Sequence, residues 1–288
     1  MNVIIAGGGV AGLETALALK ALAGDRTTVT ILAPDGDFVY RPMTVGEPFA
    51  LPRAQRHDLR TIVQDAGATL LDGELAWVDA AAQVAHTTSG KELPYTALVL
   101  ATGARTTDRY PHATTIEARH LDGQLHGLVQ DIEMGSVHSL AFVIPTRVAW
   151  PLPIYELALM AARRAFDMGT KLAVTIVTPE RTPLAVFGDG ASAAIAERLA
   201  VAGIVVETSA DAEVPEPGLV VIAPGTRRVI ADRVIALPQL TGPAVRGLPA
   251  GPHGFITVDA FCKVPGIEGV YAAGDGADHP IKHGGLAA

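Results

Sequence analysis

A chain of 288 residues, 49% hydrophobic and 18% charged, is long enough to bury one large core or two ordinary ones. Its net charge of −8, without a basic cluster, disfavours nucleic acid and anionic lipid surfaces as partners. The single cysteine, Cys262, excludes an internal disulfide, a Cys-x-x-Cys redox pair and a polycysteine metal site. The sequence has no apolar run of about 18 residues and no basic leader, so it predicts a cytoplasmic protein without a membrane-spanning helix.

The N-terminal segment predicts a strand, a helix and a second strand. Residues 2–6 form a short apolar run, and residues 10–23 are small and apolar, as in a buried helix. Residues 27–32 are rich in β-branched side chains, which favour a strand. The segment therefore predicts a βαβ unit.

Gly7, Gly9 and Gly12 lie between the first strand and the helix in the pattern G-x-G-x-x-G. In this pattern the first glycine permits a tight turn, the second lets the backbone approach a pyrophosphate, and the third allows close helix packing. We expect the phosphates to face the start of the helix, at Val10 and Ala11, and its positive dipole end. The alternative is a glycine turn without a ligand, and the pattern alone does not distinguish FAD from NAD.

The acid that binds a ribose is expected at the end of the second strand, but Ala33 and Pro34 occupy that place. Asp35 is the candidate just beyond it, and a simple turn aspartate is an equal alternative. A proline-rich loop is predicted to continue to residue 52, followed by a helix around residues 57–64.

Residues 74–95 alternate polar and apolar side chains, as in an antiparallel meander, and residues 97–101 form another buried strand.

The middle of the chain predicts a second α/β unit. After a polar stretch the pattern restarts, with strands at 139–144 and 171–177, helices at 154–168 and 191–202, and apolar runs at 204–206, 219–223 and 233–237. We predict one domain from residues 1–104 and 254–288, interrupted by a second domain at residues 105–253.

Two segments favour FAD over NAD. Residues 98–103 end in Thr102-Gly103, and residues 269–275 end in Gly274-Asp275. They resemble the paired signatures of the two-dinucleotide-domain flavoproteins, the superfamily that contains the pyridine nucleotide-disulfide oxidoreductases. The resemblance implies an α/β fold with two Rossmann-like domains, and FAD as the cofactor. In that superfamily the second segment ends in an aspartate that hydrogen-bonds the ribityl chain, and Asp275 matches it.

The C-terminal segment from Asp278 resembles a narrower branch, the sulfide:quinone oxidoreductases and type II NADH dehydrogenases. That branch has a Lys-x-Gly-Gly-like helix start, which Lys282 and Gly284 match, and it brings a loop to the isoalloxazine where Pro42 lies. A solvated surface lysine is the alternative for Lys282. The same segment contains His279 and His283, but we expect no metal site there. The chain stops where the branch continues, so we expect its C-terminal domain to be absent, by nature or by truncation.

The sequence departs from these relatives in two ways. No cysteine pair follows the second strand, which excludes dithiol chemistry and the cysteine-dependent sulfide mechanism. The second domain has a degenerate glycine turn, since residues 145–153 contain Trp150 and three prolines instead. Glu180 could reach a ribose and Arg181 a 2′-phosphate only if a nucleotide cradle existed.

We therefore predict an FAD-dependent oxidoreductase that passes electrons through flavin to a quinone-like or other small acceptor. Its partners are a small-molecule electron donor and acceptor, quinone and NAD(P)H being candidates. The alternatives are a flavin-binding or interaction module with little turnover, and an NAD(P)H dehydrogenase with an atypical nucleotide site. No side chain stands out as catalytic, a homodimer is left open, and a full-length form could be peripheral to a membrane.

Overall fold

The structure is a computed structural model that describes residues 1–146, 150–279 and 282. Within these residues the α-helices are α1 (Val10–Ala23), α2 (Leu59–Asp65), α3 (Leu121–Glu133), α4 (Leu152–Met168) and α5 (Asp189–Val201). Short 3-10 segments lie at Gly24–Arg26, Arg41–Phe49, Ala185–Phe187, Pro252–Gly254 and Gly274–Gly276.

The strands of the first half of the chain are β1 (Asn2–Ala6), β2 (Thr28–Ala33), β3 (Asp37–Val39), β4 (Arg56–Asp58), β5 (Thr69–Asp72), β6 (Leu75–Asp79), β7 (Val84–Thr87), β8 (Glu92–Pro94), β9 (Ala97–Leu100), β10 (Arg105–Thr107) and β11 (Thr114–Thr115). Those of the second half are β12 (Ser139–Val143), β13 (Ala173–Val177), β14 (Val205–Glu207), β15 (Asp211–Glu216), β16 (Leu219–Ala223), β17 (Arg227–Ile230), β18 (Arg233–Ala236), β19 (Gln239–Thr241) and β20 (Val270–Ala272).

One compact unit, unit 1, consists of Met1–Val39, Gln55–Thr106 and Leu240–Ala288. Its five-stranded parallel sheet has the order β20-β9-β1-β2-β5. Helices α1 and α2 pack on one face of this sheet, and the meander β6-β7-β8 packs on the other. Every residue of β9 is buried, because both faces of the sheet are covered, and the strand is therefore a continuous apolar run.

The other compact unit, unit 2, consists of Tyr40–Ala54 and Thr107–Gln239. Its parallel sheet has the order β11-β18-β12-β13-β14. Helices α3 and α4 share a core with one face of this sheet, and the antiparallel meander β15-β16-β17 packs on the other face. The α/β fold with two Rossmann-like units and antiparallel meanders, predicted from the sequence, is confirmed. The domain limits at residues 104 and 254 stay predictions.

Two segments differ from the sequence predictions. The loop predicted up to residue 52 contains the 3-10 segment Arg41–Phe49, and its Val45 joins the core of unit 2. The stretch before residue 139, read as polar, contains α3, whose buried residues are Leu121, Leu125, Val129 and Ile132. These side chains line one face of an otherwise polar helix, which is why they pack against the sheet.

Within the described residues, none of the helices combines the length and the apolarity that a bilayer crossing needs.

Candidate functional site

The glycine turn between β1 and α1 is fixed by close packing at its two outer glycines. Gly7 has a φ of +121°, and a Cβ there would lie 2.1 Å from the carbonyl oxygen of Ala101. A Cβ on Gly12 would lie 2.0 Å from the carbonyl oxygen of Gly7. Real Cβ atoms do not approach a backbone oxygen this closely, so each position requires glycine for the fold itself.

Gly9 is different, because the space beside it is open. A Cβ on Gly9 would meet no atom within 4 Å, and its φ of −83° is accessible to any residue. Gly9 is also the N-cap of α1, where no side chain caps the helix and no acidic residue lies in the first turn. The amides of Val10 and Ala11 begin this helix, so its N-terminus offers donors and positive dipole to an anion. An open approach beside an uncapped helix start fits a pyrophosphate.

The loops after β9 and β20 lie beside this turn at the same edge of the sheet. Gly7, Thr102-Gly103 and Gly274-Asp275 each follow the carboxyl end of one of three neighbouring parallel strands. The amide of Ala273 donates to the carbonyl of Leu100 over 3.0 Å. A Cβ on Gly276 would lie 2.9 Å from the carbonyl oxygen of Gly103, so these two loops are packed together. Two inter-strand spacings separate β1 from β20, about 10 Å, which a dinucleotide spans easily.

Lys282 is buried beside this edge, with 7% of its surface exposed. Its Nζ donates to the carbonyl of Ala277 and lies 4.1 Å from the ring centroid of Phe255. Burial lowers the pKa of Lys282, while the charges of Asp275 and Asp278 act in the opposite direction. The alternative of a solvated surface lysine is therefore wrong for Lys282, whose buried ammonium group is near the carboxylates of Asp275 and Asp278.

For the other predicted site residues the structure gives a location at most. Asp35 is half-buried in the loop after β2, at the carboxyl edge where a ribose acid is expected. Pro42 belongs to unit 2, in the segment Arg41–Phe49. Gly284 lies outside the described residues. The roles of all these residues stay predictions.

Unit 2 has an acid at the end of its second strand, and this acid is already bonded. Glu180 Oε2 accepts hydrogen bonds from Tyr155 Oη over 2.6 Å and from Thr178 Oγ1 over 3.1 Å. Burial raises the pKa of Glu180, and these two hydrogen bonds oppose the shift. Burial and the neighbouring carboxyl also raise the pKa of Tyr155, whose side chain is fully buried. Sequence reasoning found Glu180 but missed its partner on α4.

An apolar groove in unit 2 contains one carboxyl that sequence reasoning also missed. The groove has a volume of about 390 Å³ and is lined by Pro42, Met43, Val45, Gly46, Leu51, Pro52, Glu156, Leu159 and Met160. None of the described residues hydrogen-bonds or ion-pairs with Glu156, and burial raises the pKa of its carboxyl. A lone acid inside the apolar start of α4 was the available sequence signal.

Comparisons with known proteins identify the family and the fold of this chain. The sequence profile of the pyridine nucleotide-disulphide oxidoreductase family matches residues 1–131 and 155–287. No curated protein matches the chain in sequence.

Among solved structures, the sulfide:quinone oxidoreductase of the hyperthermophilic bacterium Aquifex aeolicus is similar, with a TM-score of 0.87 and 21% identity over 97% of this chain. An NAD-dependent persulfide reductase from A. fulgidus has a TM-score of 0.70 and 21% identity over 100% of this chain. NDH2 from Plasmodium falciparum has a TM-score of 0.76 and 16% identity over 96%. The chain spans 69%, 57% and 64% of these three proteins, and the likeness shows a shared fold.

Gly9 and Gly12 give a matched test of the turn. We expect Gly9→Val to cost about 1 kcal/mol of stability, for the poorer N-cap, and to abolish FAD binding by blocking the pyrophosphate. Gly12→Ala should destabilise the apo protein by about 3 kcal/mol, because its Cβ meets backbone. Urea unfolding and flavin fluorescence titration measure the two effects. Full flavin binding by Gly9→Val would show that no pyrophosphate lies there.

Glu156 predicts a pH-dependent stability. A carboxyl whose pKa is raised on folding destabilises the protein as pH rises from its ordinary value, about 4.3, through the raised one. Glu156→Gln should therefore raise the Tm at pH 7, with the gain disappearing below about pH 4. Exposed Glu197 on α5 provides the control substitution, Glu197→Gln, which should leave the Tm unchanged. An equal Tm gain at every pH would contradict the burial of an ionised Glu156.

Proposed function

Because the chain belongs to the pyridine nucleotide-disulphide oxidoreductase family, a family of FAD-dependent oxidoreductases, we propose that it binds one FAD in unit 1 and passes electrons to a quinone-like or other small acceptor. The observation that carries the proposal is the shared edge of β1, β9 and β20. The open helix start at Gly9 and the acid Asp275 both follow strands that end at this edge, although they come from opposite ends of the chain.

Each part of this edge suits a different part of the cofactor. The N-terminus of α1 suits the pyrophosphate, since its amides have no side-chain cap. The carboxylate of Asp275 suits the hydroxyl groups of a ribityl chain, because it accepts charge-assisted hydrogen bonds. The proposed FAD contacts in unit 1 are Gly7, Gly9, Val10, Ala11, Gly12, Asp35, Thr102, Gly103, Gly274, Asp275, Lys282 and Gly284.

The redox chemistry is that of the cofactor, two electrons taken from a donor and passed to an acceptor, and the protein supplies binding, orientation and electrostatics. Lys282 contributes a buried positive charge next to Asp275. A buried cation stabilises developing negative charge more strongly than an exposed one, since water does not screen it. The single cysteine means that no dithiol takes part in this electron transfer.

Unit 2 has a groove that, taken by itself, suits a small apolar ligand. Its volume lies within the usual range for small-molecule sites, about 300–1,000 Å³, and its lining is apolar apart from Glu156. A carboxyl with a raised pKa can donate a hydrogen bond to a carbonyl oxygen at a higher pH than an ordinary one. This combination suits a carbonyl-bearing ring such as a quinone better than a charged acceptor.

A flavin-binding module without turnover is the second candidate, and it is favoured by the absence of a cysteine pair from the sequence. In that case FAD would bind at the same edge of unit 1, but an added acceptor would not be reduced faster than by free flavin.

The test is anaerobic re-oxidation of the FAD-loaded protein. After chemical reduction of the bound flavin, a short-chain quinone is mixed in and the return of visible absorbance is followed. We expect the absorbance to return at least about tenfold faster than for free reduced FAD, which would be worth about 1.4 kcal/mol of barrier. The Gly9→Val variant, mixed with the same free FAD, is the matched control. A rate equal to that of free FAD would contradict the proposed enzyme and favour the flavin-binding module without turnover.

A further inference from the structure

The strand order of unit 2 shows where a nucleotide would lie in it. In the order β11-β18-β12-β13-β14, the chain moves from β12 outward to β13 and β14, and then returns to β18 on the other side. Ligands of open α/β sheets bind outside the carboxyl ends of the strands at such a reversal. The crevice at issue is therefore that beyond β12 and β18, next to the described residues Thr146 and Trp150 and the loop after β13.

One side chain crosses this crevice directly. Gln239 follows β18 by three residues and is 9% exposed. Its Nε2 donates to the carbonyl oxygen of Thr146, which follows β12, over 3.1 Å. A pyrophosphate bound at the reversal would compete with this part-buried hydrogen bond, and its loss would oppose binding.

An aromatic contact joins Trp150 to the loop after β13. Trp150, just before α4, meets the ring of Phe187 edge to face, with the centroids 4.5 Å apart and the planes at 65°. Phe187 ends the 3-10 segment that follows β13. At the helix start itself, Pro151 is the N-cap and Pro153 lies in the first turn, so α4 offers fewer amide donors than α1.

The acid that would bind the ribose is also occupied. Glu180 follows β13, at the position where a Rossmann unit places its ribose-binding carboxylate. Its Oε2 already accepts from Tyr155 and Thr178. Turning Glu180 towards a ribose would leave the hydroxyl of fully buried Tyr155 without this acceptor, which opposes nucleotide binding.

We infer that three contacts exclude pyridine nucleotides from unit 2 and so determine its specificity. They are the Gln239–Thr146 hydrogen bond, the Trp150–Phe187 ring contact and the Tyr155–Glu180 hydrogen bond. Resting on the proposed flavoenzyme function, this inference makes the electron donor a small reductant that needs no ADP-ribose site on the protein. NADH and NADPH are then not held for hydride transfer, and unit 2 serves as a scaffold rather than a nucleotide-binding domain.

The test is calorimetric titration of the FAD-saturated protein with ADP-ribose, which has no redox activity and which all pyridine nucleotides contain. Saturation with FAD keeps ADP-ribose out of unit 1. We expect the wild-type protein to show no saturable binding tighter than about 1 mM. The double variant Trp150→Gly with Phe187→Ala, checked for folding by circular dichroism, should bind ADP-ribose measurably. Phe166→Ala on the exposed end of α4 removes an aromatic ring elsewhere and should behave as wild type.

Saturable binding to the wild-type protein, lost in Glu180→Gln, would overturn the inference, and so would a folded double variant that binds no better than wild type. If the double variant does not fold, the wild-type titration decides by itself. The proposed function is tested separately by flavin re-oxidation. If the protein excludes ADP-ribose but does not re-oxidise its flavin, the inference about unit 2 holds and the proposed enzyme function is wrong.

Discussion

A single FAD site in unit 1 requires the parallel pairing of three strands from the beginning, the middle and the end of this unit. Ile5 pairs with Val99, and Val99 pairs with Tyr271, so the carboxyl ends of β1, β9 and β20 reach one edge in register. A parallel ladder fixes not only which strands are neighbours but also how far each extends. Because of this register, the helix start at residue 10 and the acid at residue 275 both follow strands that end at the same edge of the sheet.

The two units differ at the start of the helix that follows β1 in unit 1 and β12 in unit 2. In unit 1 the helix start after the first strand is uncapped and open beside Gly9, and its strand ends hold small residues. In unit 2 the equivalent helix begins with prolines, and a tryptophan precedes it. The fold family accommodates dinucleotides in such units, but a fold does not by itself imply a function. The two units differ in a few loop side chains next to the helix start, and such side chains determine whether a dinucleotide can bind.

The fold class and the glycine turn could be predicted from the sequence, because β1, β9 and β12 are short apolar runs and the glycine spacing reflects a backbone requirement. Contacts between residues far apart in the chain could not be predicted. Val45 enters the core of unit 2 rather than lying in a loop, and Tyr155 meets Glu180 from 25 residues away in the chain. Neither contact leaves a local pattern. Helix α3 is an intermediate case, since Leu121, Leu125, Val129 and Ile132 have helical spacing but stand among polar residues that outnumber them.

Hydrogen–deuterium exchange of the protein with and without FAD measures whether one flavin contacts both ends of unit 1. Amides in residues 8–13 and 273–277 should become protected together, because one dinucleotide bridges both segments, while residues 150–157 of unit 2 should exchange as before. Protection of only one of the first two segments, or protection that appears in residues 150–157 instead, would contradict a single flavin site at the edge of β1, β9 and β20.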